Sequence, residues 1–200
     1  MTTGSFMRFD KRWGLFAFAF TLWLWIGYSI YIHSAKKIFK VTIIHSSKPL
    51  HTLNDKIYPD KKEMIWVEKI FFPRGNELKH PTYGYLGYKK NFVMRIDGDF
   101  LLSKDAPLKF VLYSDDGVRL VIDGKNVLEF LQNRPFGKSE GIIYLKKGKH
   151  HLHIDYFQGY GQLGLVGYYA VLNGLKQIIS DNNSLKLLGN NSQIIKFIEQ

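Results

Sequence analysis

The chain has 200 residues, enough for one ordinary domain with additional segments. It contains no cysteine, which excludes disulfides, thiol catalysis and cysteine-ligated zinc. Its 28 lysines and arginines against 17 acidic residues give a net charge of +11, in which lysine predominates. This favours a solvated basic surface, or contact with anionic lipids or envelope polymers, over bidentate phosphate recognition.

The first segment of note is an uncharged run over residues 13–32, which reads WGLFAFAFTLWLWIGYSIYI. A helix of twenty residues is about 30 Å long, the thickness of a bilayer core. A cleaved signal peptide is the alternative, but no small-residue cleavage site follows the run. We therefore predict a cytoplasmic tail at 1–12, a transmembrane helix at 13–32, and a single-pass inner-membrane protein whose main domain is periplasmic or extracellular.

The next segments differ in how regularly they are patterned. Residues 33–63 are basic and interrupted by turns, with one β-like run at 39–44, so we predict a stalk that could add an early strand to the domain. From 64 to 172, short apolar runs alternate with turn signals every eight to twelve residues. Because so many half-apolar strands need two facing sheets to be buried, we predict an all-β fold, an antiparallel β-sandwich over 64–172. The predicted strands are 65–71, 91–96, 98–102, 108–113, 118–122, 125–131, 141–145, 150–157 and 164–171.

The most informative stretch of this domain runs from Tyr113 to Lys125 and reads YSDDGVRLVIDGK. Asp115 and Asp116 lie in a turn, because serine and aspartate side chains bond to nearby backbone and glycine permits positive φ. Alternating residues follow, and Asp123-Gly124 is a strong hairpin signal. We predict two paired strands with adjacent carboxylates at the tip, a cluster of hard oxygens suited to calcium or to sugar hydroxyls.

These residues resemble the central signature of the fourteen-kilodalton protective-antigen domain family, which occurs in anthrax protective antigen, flocculins, other adhesins and many bacterial glycosidases. The turn Leu145-Lys146-Lys147-Gly148-Lys149-His150 and the strand Ile154-Asp155-Tyr156-Phe157 are similar to two further motifs of that family. The resemblance covers residues 64–172. It implies a β-sandwich, an extracytoplasmic location and a role in binding rather than catalysis.

The resemblance also implies site residues. In lectin-type members the matching Asp-Asp pair, joined by a cis peptide, binds calcium, so Asp115 and Asp116 are the candidate calcium ligands. Arg119 and Tyr160 are predicted to complete a ligand-binding surface with them. The late loop 158–162, which supplies an asparagine ligand in the lectin type, has neither asparagine nor acid here. The alternative is that both carboxylates accept backbone N–H groups and hold the turn.

Two further groups of residues could bind a ligand. Strand alternation places His151, His153 and Asp155 on one face, where they could bind zinc, although an exposed polar face explains the pattern as well. Several aromatic residues fall in loops or at edges, where a ring can stack on a sugar or a protein partner or pack at the rim of the core: Tyr83, Tyr85, Tyr88, Phe136 and Tyr160. In the tail at 173–200, residues 193–200 are predicted to form a short helix capped by Ser192.

Two functions follow from these features. The first is a membrane-anchored, non-catalytic binding module for an envelope carbohydrate. The second is a structural subunit of a bacterial envelope machine, such as a flagellar motor or secretion system, in which the sandwich contacts other envelope proteins. No nucleophile elbow, phosphate loop or metalloprotease motif is present, so we do not expect an enzyme. We expect no nucleic-acid partner and no cofactor other than calcium.

Overall fold

A computed structural model describes residues 11–33, 36–172 and 185–200. The chain divides into two compact units, residues 1–35 and 36–200. The first unit contains the helix α1 (Lys11–His33), and the second contains all the strands. These are β1 (Phe39–Ser46), β2 (Pro59–Val67), β3 (Phe71–Gly75), β4 (Lys79–His80), β5 (Gly84–Tyr85), β6 (Phe92–Leu102), β7 (Ala106–Asp115), β8 (Val118–Ile122), β9 (Lys125–Phe130), β10 (Gly137–Leu145), β11 (Gly148–Gln158), β12 (Leu163–Val171), β13 (Lys186–Leu187) and β14 (Ile195–Phe197).

The strands form two main antiparallel sheets. One has the order β2-β1-β6-β11-β8-β9, with β14 also paired to β6. The other has the order β10-β7-β12-β13, with β3 also paired to β12. Alternate side chains of both sheets meet in one apolar core, which includes Phe39, Ile96, Leu112, Ile154 and Leu165, all fully buried or nearly so. The predicted all-β sandwich is therefore confirmed for the second unit.

The segment predicted as a stalk is part of this sandwich. Strand β1 pairs with β6 in the middle of the larger sheet, and β2 forms its edge. Phe39, Val41 and Ile43 are completely buried, and each such side chain contributes about 1.5–3 kcal/mol through removal from water. The β-like run predicted at 39–44 lies in β1, whereas the basic composition of 33–63 suggested a stalk because its lysines lie on the outer face of β1, on the edge strand β2 and in the loops.

The two strands predicted at 91–96 and 98–102 are one continuous strand, β6, and the turn-like dipeptide Asp97-Gly98 lies within it. A Cβ at Gly98 would be 2.4 Å from the Cδ1 atom of Phe39 on the neighbouring strand. The glycine therefore allows the Phe39 ring to lie against the backbone of β6, which is a use of glycine within strands that a turn signal does not reveal. By contrast, Asp123-Gly124 does form the predicted tight turn between β8 and β9, with positive φ at both residues.

The Asp115-Asp116 turn joins the two sheets. Strand β7 belongs to the smaller sheet and β8 to the larger one, so the strands on either side of the turn do not pair with each other. The prediction of a hairpin tip is therefore wrong, because local alternation and turn signals do not say which sheet the next strand enters. The consequence is that the aspartates lie at a corner of the sandwich, where loops of both sheets surround them.

The tail ends in a strand rather than the predicted helix. Within the described residues 185–200, β14 pairs with β6 and buries Ile195 and Phe197. Ser192 does accept backbone N–H bonds, from Ile194 and Ile195, but the turn that it stabilises leads into β14. The prediction made for residues 173–184 lies outside the described residues.

The membrane prediction is also wrong. Among the residues that the structure describes, no helix combines the length and the apolar character that a membrane crossing requires. The run at 13–32 is uncharged, but it is not apolar throughout. It contains Gly14, Thr21, Gly27, Tyr28 and Ser29. The predicted inner-membrane localisation, with the main domain on the periplasmic or extracellular side of that membrane, and the membrane as a partner are therefore wrong.

Candidate functional site

The candidate site is built on the corner between β7 and β8. Asp115 and Asp116 are joined by a cis peptide bond, as the family resemblance implies. Both residues are largely buried, with 6% and 4% of their surface exposed. The corner therefore presents two carboxyl groups that are held within the fold rather than displayed in a free surface turn.

Asp116 holds two other loops against the corner. Its Oδ1 accepts an N–H bond of 3.1 Å from Arg134, in the loop between β9 and β10. Its Oδ2 accepts a bond of 2.8 Å from the amide of Gly159, in the loop between β11 and β12. Asp116 therefore matches the alternative in which the carboxylates accept backbone amides. Its two hydrogen bonds bring the β9–β10 loop and the β11–β12 loop to the turn between β7 and β8.

Ser114 and Tyr156 support the corner from beneath. The hydroxyl of Ser114 donates to the carbonyl of Asp116 at 2.7 Å and accepts a bond from Nη2 of Arg134. The buried hydroxyl of Tyr156 donates to the carbonyl of Asp115 and lies 2.9 Å from Oε1 of Gln158. Because these groups are removed from water, their mutual hydrogen bonds fix the positions of both aspartates.

The negative charge of the pair is only partly compensated. Burial raises the pKa of Asp115, and the neighbouring charge of Asp116 raises it further. The positive charges of Arg74 and Arg134 and the amide of Phe136 act in the opposite direction without reversing the shift. Burial likewise raises the pKa of Asp116. A carboxyl group whose pKa rises on folding reduces stability as the pH rises through that pKa, so the ionised pair costs stability at neutral pH and a bound cation would relieve that cost.

A shallow depression of about 390 Å³ opens above the pair. It is lined by Asp115, Asp116, Asn133, Arg134, Pro135, Tyr160 and Gly161. Tyr160 is 78% exposed, so its ring offers an almost free aromatic face beside the carboxyl groups. The structure therefore brings three of the four predicted ligand-binding residues together.

Arg119, the fourth predicted residue, does not line the depression. It lies on β8, where its Nε atom is 2.9 Å from Oε2 of Glu129 and its Nη2 atom is 3.1 Å from Oδ1 of Asn54. In strand register it is opposite Asp155 on the outer face of the larger sheet. The strand alternation that follows Gly117 turns this side chain away from the corner.

Asn133, Arg134 and Pro135 line the depression and were not predicted from the sequence, and Asn133 is the one among them with an amide side chain. Its Oδ1 atom and Oδ2 of Asp116 would lie 3.5 Å and 3.4 Å from a Cβ placed on Gly159, so the two oxygens approach the same loop. Asn133 comes from the β9–β10 loop, seventeen residues after Asp116, whereas the resemblance directed attention to the later loop at 158–162. Asn133-Arg134-Pro135 reads as an ordinary turn, and no local signal connects it with the aspartates.

His151 and His153, which were considered as zinc ligands alongside the alternative of an exposed polar face, form a ladder of pairs with carboxylates, mainly across β6 and β11. In register, His151 is opposite Asp99 and His153 is opposite Asp97. The Nδ1 atom of His153 is 2.7 Å from Oδ1 of Asp97, and its Nε2 atom is 3.2 Å from Oδ1 of Asp155. In the described ranges no group of three or more histidine, cysteine or acidic side chains is arranged to hold a metal ion, and both nitrogens of His153 already have carboxylate partners. These pairs stabilise the sheet face.

The ladder predicts how stability depends on pH. The carboxylates of Asp155 and Asp97 raise the pKa of His153 from 6.5 to about 9. Because the folded state holds this proton more tightly, the contribution is complete below pH 6.5 and is lost as the pH rises towards 9, at a cost on the order of 2 kcal/mol. Urea unfolding of the wild type should show this decline, and His153→Gln should flatten it. An equal decline in both proteins would assign it to other groups.

Comparison with known proteins identifies the fold. Among the solved structures similar to this chain are two PA14 domains and one adhesin domain. A PA14 sugar-binding domain from an RTX adhesin is 14% identical, with a TM-score of 0.58 over 78% of this chain and 96% of that one. The PA14 domain of the antifreeze protein MpAFP is 11% identical, with a TM-score of 0.59 over 78% and 88%. A subtype-switched epithelial adhesin A domain from Candida glabrata, in complex with β-lactose, is 12% identical, with a TM-score of 0.51 over 82% and 89%.

At these identities the structural likeness demonstrates a shared fold. No curated protein matches the chain. The sequence model of the PA14 domain, the fourteen-kilodalton protective-antigen domain, matches residues 82–183, which is just over half of the chain. The matched range contains the corner, the Asp-Asp pair and every residue that lines the depression. The chain therefore belongs to the PA14 domain family.

Proposed function

We propose that the second unit is a non-catalytic carbohydrate-binding module and that the sugar binds in the depression above Asp115 and Asp116. The observation that carries the proposal is the placement of an exposed aromatic ring, Tyr160, beside two carboxyl groups whose charge the protein only partly compensates. A sugar presents the complementary chemistry, with apolar C–H faces for the ring and hydroxyl groups for the oxygens.

We assign each lining residue a different role in binding the sugar. Tyr160 packs against a face of the sugar ring. The amide of Asn133 both donates and accepts, so it can bond a hydroxyl group in either orientation. Asp116 holds the Arg134 and Gly159 loops in position, which keeps the walls of the depression in place before the ligand arrives. Both oxygens of Asp116 accept backbone amides, so it positions the two loops, and each oxygen keeps a second lone pair with which it can ligate a cation.

Calcium is the cofactor that this donor set fits. Asp115, Asp116 and Asn133 supply hard oxygen ligands of the kind that calcium prefers. When bound, calcium supplies a cation that sugar hydroxyl oxygens can coordinate. Burial raises the pKa of both aspartates, so their ionised forms are costly in the folded protein, and a bound calcium ion would relieve that cost.

A screen of immobilised oligosaccharides tests the function. The full chain, in buffer with millimolar calcium, should capture a defined set of glycans. Asp115→Asn should lose that capture, because it removes a charge from the site. Asp105→Asn is the matched control, since Asp105 is an exposed acid that bonds Lys146 and the amide of Lys147 at a different turn. Capture of no glycan, together with stable co-purification of a protein partner, would favour the structural-subunit alternative and overturn the proposal.

A further inference from the structure

A second depression, of about 500 Å³, lies beside the β3–β4 connection. Its lining includes Arg74, Asn76, Lys79 and Tyr85. Tyr85 is 69% exposed, and the Nζ atom of Lys79 lies 5.3 Å from the centre of its ring. The groove thus combines an accessible aromatic face with two basic side chains and an amide, and the function proposed above makes no use of them.

Arg74 connects this groove with the aspartate corner. Strand β3 pairs with β12, and on the other side of β12 Gly164 is the register partner of Asp115. A Cβ on Gly164 would lie 3.0 Å from the Cα of Arg74, so the Arg74 backbone packs directly on this part of β12. The charge of Arg74 also acts on Asp115, where it lowers the pKa. The two depressions are therefore neighbours, with Arg74 between them.

The charges of the groove are available to a ligand. Arg74 and Lys79 are both exposed, and neither forms an ion pair within 4 Å with any acid in the described part of the chain. Glu77, the acid of the groove, has its Oε2 atom 3.3 Å from the Nζ atom of Lys89. The groove therefore carries a local positive charge. A planar guanidinium with free N–H groups is suited to binding an anionic group through two parallel hydrogen bonds.

We propose that the groove lined by Arg74, Lys79 and Tyr85 is a second subsite, which binds an anionic sugar residue of a longer glycan whose neighbouring residue occupies the depression above Asp115 and Asp116. This inference rests on the proposed function and specifies its ligand class. Arg74 and Lys79 bind the anionic group, and Tyr85 packs against the sugar ring. A carboxylate, a sulfate and a phosphate share this chemistry, so the test must distinguish them.

The test compares neutral oligosaccharides with carboxylated, sulfated and phosphorylated forms of the same glycans on one array. The wild-type chain should bind at least one class of acidic form about tenfold more tightly than its neutral parent. The class with the highest ratio identifies the anion. The preference should weaken as salt is raised, because the groove is open to solvent.

Lys79→Gln combined with Tyr85→Ala should reduce the acidic-to-neutral ratio to about one, as should Arg74→Gln. Lys147→Gln is the control, because it removes an exposed lysine from a distant turn and should leave the ratio unchanged. Unaltered melting temperatures will show that the variants fold. If neutral glycans bind and acidic forms have no advantage, or if the ratio survives the groove substitutions, the second subsite is wrong while the proposed function stands. If no glycan binds, both fail.

Discussion

Replacing Asp116 by alanine should lower the free energy of unfolding by roughly 2–4 kcal/mol and remove glycan binding. The carboxylate accepts the amides of Arg134 and Gly159, and a buried amide left without a partner costs about 1–3 kcal/mol. Removing a desolvated charge beside Asp115 offsets part of this loss. The walls of the depression would also separate, because these two bonds hold both loops.

Urea unfolding of the wild type and Asp116→Ala measures the effect. Asp60→Ala is the matched control, since Asp60 is exposed and its Oδ1 atom contacts the Nδ1 atom of His45. The control should stay within about 0.5 kcal/mol of the wild type. Equal stability of Asp116→Ala and the control would contradict the role of Asp116 in holding the loops.

Replacing Tyr160 by alanine should weaken glycan binding about tenfold to thirtyfold and leave stability unchanged. Exposed tyrosines at binding sites contribute about 2 kcal/mol when they cover a ligand, and each 1.4 kcal/mol is a factor of ten in affinity. Since 78% of the surface of Tyr160 is exposed in the free protein, removing its side chain breaks few packing contacts. Calorimetric titration with a captured glycan provides the measurement.

Two variants make the Tyr160 result specific. Tyr160→Phe retains the aromatic face and should bind nearly as well as the wild type, unless the hydroxyl itself contacts the sugar. Tyr144→Ala removes another exposed tyrosine, on β10, and should bind normally. Unchanged affinity in Tyr160→Ala would show that the sugar does not rest on this ring, and the site would have to be placed elsewhere.

The fold was more predictable than the site, because sequence patterns report local structure and do not report contacts between residues that are distant in sequence. Asp123-Gly124 determines its turn through its own backbone conformation, so the sequence pattern was sufficient there. Asp97-Gly98 has the same two residue types, but its glycine makes room for Phe39, fifty-nine residues earlier in the chain, which no local pattern contains. Strand β1 was recognisable as a β-like run at 39–44, but the lysines around it gave the segment the composition of a linker.

The site depends on three loops that are separated in sequence. Asp115 and Asp116 were recognisable from the family signature, and Tyr160 from its position in a loop. Asn133 and Arg134 were not, since only contacts with residues distant in sequence bring their loop to the corner: the Arg134 amide bonds Asp116 and its Nη2 atom bonds Ser114. Arg119 was predicted because it is close in sequence, but the strand that carries it turns its side chain towards Glu129 and Asn54.

The central claim is that a sugar binds at the Asp115-Asp116 corner, and amide chemical-shift mapping of the full chain tests it most directly. Titration with calcium and then with a captured glycan should shift the amide resonances of Arg134, Gly159 and Gly161, which surround the pair. The amide resonances of His151 and His153, which lie in the ladder, should not shift. If calcium and glycan leave Arg134 and Gly159 unmoved while other regions shift, the corner is a structural element and the proposed function is wrong.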